Sequence, residues 1–577
     1  MVQSNEDHLE DRPLEKAISR RGFLSGAALV GAAAALGLAG CQPSNSGGGS
    51  TGGGSGDSTG GGGSDTTGGN PAWLGEEPQI ADADIKETVE TEILIIGAGT
   101  GGMFAACAAG EDGAKVLVLD RGQGGVIRDD LGGVNSRLQQ ENNYTIDKRA
   151  FMQDMYRYAS GHQKPRLLQK WFDNSGEVID WYEKVLKDAG VKLWHEDDKK
   201  KTEPNYPHWA TGHSPQWPQD GSLNGLKVLT NYADNTGNVE IRWSTPMVKL
   251  VVENNKVTGA SAKNDAGYIK IKASKGTIVS TGGYALNDEM MKALQPHTIP
   301  LFGMNVGFPG NQGDGIKACL WAGASWDDIH TSMLFDRSGM KPDSTGGPDD
   351  MTGQLFWMGS QPWLKVNLNG ERFCNESGTY DFVLHASAHQ PNAIYVTLFD
   401  DDYQKYAEQF DMHGCSRMFP FDNGAPQNIP MAAVVGMNQG LIDQGYLQKA
   451  DTIEELAGKL GIPADKLKAT VDRNNQNYDA GADPDFGKEP YRLSPVRKAP
   501  FYGIRQTGMI LSTMDGITIN EDCQALRADG SVIDGLYVIG NDSGGYYANT
   551  YPNLSTGNAC GRTITFARMT AKALAKA

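Results

Sequence analysis

The sequence is poor in the residues that would let it carry an electron relay of its own. It has only seven cysteines, at positions 41, 107, 319, 374, 415, 523 and 560, and they form no Cys-x-x-Cys or Cys-x-x-Cys-His. That scatter excludes a zinc ribbon, a ferredoxin-type iron–sulfur motif and an attached c-type haem, and no metal site is expected. Apart from Cys41, the cysteines read as buried free thiols, which behave as small hydrophobes. Positive charge is also scarce. Against 70 Asp and Glu stand 52 Lys and Arg, a formal net charge of −18. A nucleic-acid partner wants a basic footprint, so none is expected. Electrons must therefore reach the chain from an external donor, and the expected substrate is a small molecule.

What is present begins with a targeting signal. Ser19-Arg20-Arg21-Gly22-Phe23-Leu24 precedes an Ala/Gly-rich run to Gly40. Paired arginines before such a run read as a Tat export signal. The run is short and poor in Leu, Ile and Phe for a spanning helix. It ends in Leu38-Ala39-Gly40-Cys41, which looks like a lipobox and would leave a lipid on Cys41 as the tie to the outer face of the cytoplasmic membrane. The Gly/Ser/Thr/Asp tract that follows cannot bury a core and reads as a flexible tether. Residues 1–41 are expected to be signal and 42–85 linker.

A dinucleotide fold starts next. Thr91-Glu92-Ile93-Leu94-Ile95-Ile96 is a short β-branched apolar run, the mark of a buried parallel strand. It leads into Gly97-Ala98-Gly99-Thr100-Gly101-Gly102, a small-residue helix, a second strand at Lys115–Leu119, and Asp120. Strand, glycines, helix, strand and acid stand in the order a dinucleotide site requires. Gly97 makes the tight turn. Gly99 lets backbone approach the pyrophosphate at the helix N-terminus, and Gly102 allows close helix–strand packing. Asp120, with Arg121 beside it, is placed for the adenosine ribose. The fingerprint alone does not separate FAD from NAD.

Later segments decide for FAD. Lys275 to Tyr284 is a strand ending in a second glycine turn, Thr281-Gly282-Gly283, and Gly535 to Asp542 is another strand running into Asn541-Asp542. Thr556-Gly557-Asn558-Ala559 opens a C-terminal helix. With Gly313-Asp314-Gly315-Ile316 and Val366 to Glu376, the chain from about Glu90 resembles the fumarate reductase/succinate dehydrogenase flavoprotein family, which includes the 3-ketosteroid dehydrogenases. The resemblance implies an α/β protein with FAD as cofactor. It has a discontinuous Rossmann-type FAD-binding domain (residues 86–323 and 441–577) and an inserted α+β capping domain (324–440). It also implies cofactor contacts from Gly101, Thr281, Gly282, Gly283, Asp314, Asn541, Asp542 and Asn558.

Within that family the active-site motifs choose a branch. Fumarate reductases carry an arginine proton donor in a pattern like N-E-x-x-T-R-D. Here the stretch is Asn375-Glu376-Ser377-Gly378-Thr379-Tyr380-Asp381, with tyrosine in its place. Ser512-Thr513-Met514-Asp515-Gly516 lacks their histidine, and Asn549 to Ser555 lacks their second arginine. A site without cations does not favour two desolvated carboxylates. The 3-ketosteroid dehydrogenase-like branch resembles this chain more closely at Tyr380-Asp381, at Gly540-Asn541-Asp542-Ser543 and at Thr550-Tyr551-Pro552. That resemblance implies that Tyr380 moves the proton and Tyr551 hydrogen-bonds the substrate oxygen, although Tyr546 and Tyr547 lie close by and the sequence leaves open which of the three faces the substrate. The spacing after Tyr551 departs from that branch, so the backbone N–H that helps hold the oxygen is not assigned.

The expected reaction is reduction of a C=C conjugated to a carbonyl, in an enone, unsaturated lactone or steroid-like substrate. It needs a hydride from the flavin, a proton from an acid such as Tyr380, and a donor to the developing enolate oxygen. The same groups serve the reverse, oxidative direction. The other alternative is reduction of an unsaturated carboxylate by a rebuilt clamp using Arg505 or Arg562. His330, His385 and His389 fall on no motif and read as surface or supporting residues. Arg372 reads as structural, paired with a carboxylate near the Gly370 turn.

Overall fold

The computed structural model describes residues 70–124, 127–196, 208–218, 220–410, 429–549 and 551–577. Arg20, Arg21, Cys41, Cys415 and Thr550 lie outside them. Five parallel strands form the spine of the first sheet, in the order Val532–Val538, Gly267–Val279, Ile85–Ile96, Val116–Leu119 and Val239–Arg242. Ile93 to Ile96 and Val116 to Leu119 are buried, as continuous apolar strands of a parallel sheet covered on both faces should be. The crossover helix Thr100–Glu111 is buried from Gly101 to Gly110. Its glycines and alanines let it pack among the sheet, the helix Gly225–Thr236 and the C-terminal helix Asn558–Lys576. A hairpin, Met247–Glu253 and Lys256–Asn264, extends one side through the strand Gly267–Val279.

The second sheet is mostly antiparallel. Its order is Gln354–Leu355, Ser332–Met340, Phe501–Thr513, Tyr395–Phe399 and Leu364–Asn367, with Phe302–Asn305 and Gln448–Ala450 also paired to the long strand Phe501–Thr513. Its strands extend past the expected capping bounds of 324 and 440 on both sides. The sheet starts at Phe302 and ends at Thr513. The helices Ile453–Leu460 and Ala464–Ala480 bury Leu456, Leu460, Leu467 and Val471 against Leu364, Val366, Val396, Leu398 and Phe501. Within 441–513 the strands Gln448–Ala450 and Phe501–Thr513 pair inside the second sheet, and the chain rejoins the first sheet at Gln524–Leu526. The last part of the expected linker, 42–85, makes contacts with the folded protein. Trp73 stacks on Trp326 with ring centroids 5.2 Å apart, so the chain is docked from that point on.

A third, three-stranded sheet (Leu131–Gly132, Gly212–Gln216, Lys192–His195) braces the segment before the C-terminal helix. Trp209 N–H donates to Leu554 O at 2.7 Å, Thr211 Oγ1 to Thr556 O at 2.7 Å, and Gly132 N–H to Gly557 O at 2.7 Å. Two histidines belong to this brace, His213 buried and His208 half-buried. His213 lies 2.8 Å from Ser136 Oγ and 2.9 Å from Thr211 O, and His208 lies 3.0 Å from Thr556 Oγ1. Burial pushes His213 down to about 3 and His208 down to about 4.

Both histidines stay neutral in the fold while the unfolded chain takes up protons below about pH 6.5. Their stabilisation is therefore present above that pH and is lost as pH falls through 4 toward 3, by about 1.4 kcal/mol per pH unit for each histidine. Asp327 and Asp336, raised to about 6 by burial, act in the opposite sense. The informative quantity is thus a difference between variants. Between pH 6 and 4.5, the unfolding free energy of wild type measured in urea is expected to fall more steeply than that of His213→Gln, by about 1.4 kcal/mol per unit. Parallel curves would show that His213 is solvated.

Candidate active site

The site is built where the parallel strands end. Gly97 has φ +102° and lies so close to the neighbouring strand that a Cβ there would stand 2.2 Å from Ser280 O. At Gly102 a Cβ would stand 1.7 Å from Gly97 O. These two glycines are demanded by the protein's own packing. Gly99 is different: a Cβ there meets nothing within 4 Å. It is the N-cap of the helix Thr100–Glu111, whose first turn has no acidic residue and no side-chain cap. Open space before uncapped N–H groups suits a pyrophosphate, so the residues present fit FAD. Asp120 closes the same turn, its Oδ2 accepting from Ala98 N–H at 2.8 Å and its Oδ1 from Gly122 N–H at 2.7 Å. Arg121 pairs with Asp314 at 2.6 Å across the mouth, both half-exposed.

Behind this turn the remaining expected cofactor residues meet each other. Asp542 is wholly buried. It accepts from the Thr281 N–H, from Thr281 Oγ1 at 2.9 Å, from Gly282 N–H at 3.2 Å and from Gly283 N–H at 2.9 Å. Burial raises its pKa and these donors act against the rise. Asp542 and Thr281, expected as direct cofactor contacts, thus lock a turn together. Thr281 Oγ1 also accepts from Gly315 N–H at 3.1 Å, bringing the start of the helix Asp314–Trp321 to the same place. Asn541 Nδ2 donates to Ser512 Oγ at 2.5 Å. Asn558, first residue of the C-terminal helix, accepts from Tyr547 OH at 2.9 Å and donates to Tyr546 OH at 3.3 Å, so its amide is held by the tyrosine cluster.

Tyr380 opens the short helix Tyr380–Ser387 and is fully buried. Its ring stacks on Phe335 at 4.6 Å, and the Arg337 guanidinium lies 5.7 Å from its centroid. Sequence reasoning missed Arg337, which falls on no motif. It also missed Tyr158, at the end of the helix Lys148–Tyr158. Tyr158 OH donates to Asp381 Oδ1 at 2.7 Å and lies 2.5 Å from Thr379 Oγ1, while Asn553 Nδ2 donates to the same carboxylate oxygen at 2.7 Å. Burial, reinforced by the Asp381 charge, holds the Tyr158 pKa well above the usual tyrosine range. This network joins the residues flanking Tyr380 to the segment carrying Tyr551. Tyr551 OH accepts from Ala559 N–H at 3.2 Å, at the start of the C-terminal helix. Between Tyr158 and Tyr547 runs a narrow crevice lined also by Met155, Gln163, Ala548 and Pro552.

The other candidates separate by role. Arg372 bonds Glu376 at 2.7 and 2.6 Å and Asp483 at 2.9 and 2.8 Å, a buried staple beside the Gly370 turn. His330 is more than a surface residue: its Nδ1 lies 2.7 Å from the buried Asp515, which also accepts from Tyr284 OH at 2.9 Å. Arg505 binds Leu460 O at 2.8 Å, and Arg562 binds Gly540 O at 2.8 Å.

The contrast between glycines can be measured directly. Gly99→Val is expected to fold with the melting temperature of the apoprotein and to lose the yellow cofactor. Gly102→Val is expected to lose several degrees in the apoprotein itself, because its side chain collides with Gly97 O. Full FAD occupancy in Gly99→Val, read by absorbance, would contradict the assignment.

The comparisons with known proteins agree with this geometry. The FAD binding domain family matches residues 92–557. The chain is 29% identical to the vinyl phenol reductase of Lactiplantibacillus plantarum over 477 residues, covering 80% of this chain and 92% of that protein. It is 30% identical over 367 residues to the 3-oxosteroid 1-dehydrogenase of Mycobacterium tuberculosis, covering 58% of this chain and 59% of that protein. The open form of a flavocytochrome c3 fumarate reductase shares the fold, with a TM-score of 0.62 at 24% identity over 88% of this chain and 82% of that one. The chain belongs to the FAD binding domain family and is an FAD-dependent oxidoreductase, with fumarate reductase-like and ketosteroid dehydrogenase-like relatives.

Proposed function

We propose that this enzyme reduces a C=C bond conjugated to an oxygen function, in an enone, unsaturated lactone, steroid-like or vinyl-phenol-like substrate. The observation that carries the reading is Tyr380, an aromatic hydroxyl at a helix start. Its flanking residues, Thr379 and Asp381, are tied by Tyr158 and Asn553 to the FAD-binding domain. When bound, FAD supplies the hydride. Tyr380 delivers the proton to the second carbon of the alkene. Tyr158, kept protonated by its burial, holds Asp381 and so fixes the backbone on either side of that acid. Tyr551 donates to the substrate oxygen, and the N–H it accepts from Ala559 strengthens its own O–H as a donor. The likeness to vinyl phenol reductase over most of both chains supports an uncharged, oxygen-conjugated alkene.

The supporting argument for location is the sequence before residue 70. Arg20-Arg21 direct export by Tat, and a lipid on Cys41 ties the enzyme to the outer face of the cytoplasmic membrane. Reducing equivalents then come from a membrane cytochrome or a quinol-linked protein. Among the described residues no helix is long and apolar enough to cross a membrane. The check is fractionation: Cys41→Ala is expected in the soluble exported fraction, and retention on membranes equal to wild type would refute the anchor.

Tyr380→Phe keeps the ring stacked on Phe335 and removes only the hydroxyl. Single-turnover reoxidation of the reduced enzyme by substrate is expected to slow by about 10²–10⁴, with substrate affinity changed much less. Reduction of the flavin by an artificial donor should proceed as in wild type. Reoxidation at the wild-type rate would show that another group is the acid.

A further inference from the structure

Arg562 is wholly buried, yet its guanidinium forms no ion pair among the described residues. Its hydrogen bonds go to neutral oxygens of a single turn. Nη2 donates to Gly540 O at 2.8 Å and to Asn541 Oδ1 at 3.4 Å, and Nη1 to Ser543 O at 3.2 Å and Ser543 Oγ at 3.5 Å. Nε is buried with no partner. The rings of Tyr546 and Tyr547 lie 5.5 and 5.0 Å from its central carbon and attract a cation without neutralising it. Asp542, in the middle of the same turn, directs its carboxylate to the other side, onto Thr281, Gly282 and Gly283.

A cation taken out of water without a counter-ion is costly, and such a site is completed by an anion. FAD brings two: the pyrophosphate and the reduced isoalloxazine ring, which near neutral pH carries its negative charge across N1 and the C2 oxygen. The pyrophosphate has its own place at Gly99, before the helix Thr100–Glu111. Arg562 instead stands one turn inside the C-terminal helix Asn558–Lys576, which starts at Gly557 with no acidic residue in its first turn. That helix end is itself positive, and it adjoins the Gly540–Ser543 turn that Arg562 grips.

We propose that Arg562 is the countercharge of the reduced flavin ring. It stabilises the reduced, anionic cofactor over the oxidised, neutral one and so raises the potential at which the bound FAD accepts two electrons. Arg562 acts through charge and touches no substrate, so oxidised FAD gains little from it.

The experiment is a redox titration of the bound FAD in Arg562→Gln and Arg562→Lys holoenzymes, with the affinity of each for oxidised FAD measured in parallel. Arg562→Gln is expected to bind oxidised FAD within threefold of wild type. Its two-electron potential is expected to fall by about 30 mV or more, the equivalent of a tenfold or greater loss of preference for the reduced form. Arg562→Lys keeps the charge and should stay within a threefold change in that preference. Should Arg562→Gln fail to fold, Asn541→Asp decides, because it sets a carboxylate beside the intact guanidinium and should lower the potential in the same way. A wild-type potential in Arg562→Gln overturns the proposal. So does equal weakening of both redox forms, the signature of a phosphate contact or a purely structural clamp. If Asn541→Asp is the deciding variant, an unchanged potential there overturns it too.

Discussion

The fold depends on one buried carboxylate. Asp542 lies in the turn just after the last strand of the first sheet, and its oxygens are bound by the hydroxyl and three successive amides of Thr281, Gly282 and Gly283, about 260 residues earlier in the chain. Between those two points the chain leaves to form the whole second sheet and its helices. A buried charge needs several good donors to be tolerated, and Asp542 has four. Its bonds therefore fix where the chain returns, and with it the position of the Asn541 amide, the Arg562 guanidinium and the start of the C-terminal helix. The discontinuous domain is closed by this contact, and the chemistry is assembled around the closure.

Much of the first sheet was legible in the sequence because its signals are local. The run Ile93–Ile96, the glycines at 97, 99 and 102 and the run Val116–Leu119 sit within about thirty residues, where strand, turn and helix periodicities are read side by side. The inserted domain was harder. The strand Phe501–Thr513 has the same β-branched and aromatic character as a strand of either sheet, and only its partners at Ser332–Met340 and Tyr395–Phe399 reveal which sheet it joins. The family resemblance sets the domain's end at residue 440, before the helices 453–460 and 464–480. Their apolar faces in fact cover the second sheet.

The candidate site divides the same way. Tyr380, Tyr551, Asn541 and Asp542 stand in motifs and can be nominated from the sequence. Tyr158, Arg337 and the Asp515–His330 pair stand in none, and they come to the site only through long-range packing. Roles were less legible than positions. Thr281 and Asp542, expected to touch the cofactor, also hold each other. Gly102 was read as the residue that allows close helix–strand packing, and a Cβ there would stand 1.7 Å from Gly97 O.

The central claim is that an FAD enzyme with tyrosines in its active-site motifs acts on an uncharged alkene conjugated to oxygen. The most direct measurement mixes the chemically reduced holoenzyme anaerobically with 4-vinylphenol, a cyclic enone, a steroid enone and fumarate, and follows the return of the oxidised flavin absorbance. The account predicts that at least one of the three neutral compounds reoxidises the flavin at least tenfold faster than fumarate at equal concentration. Reoxidation by fumarate as fast as by every neutral alkene, or by none of the four, would contradict it.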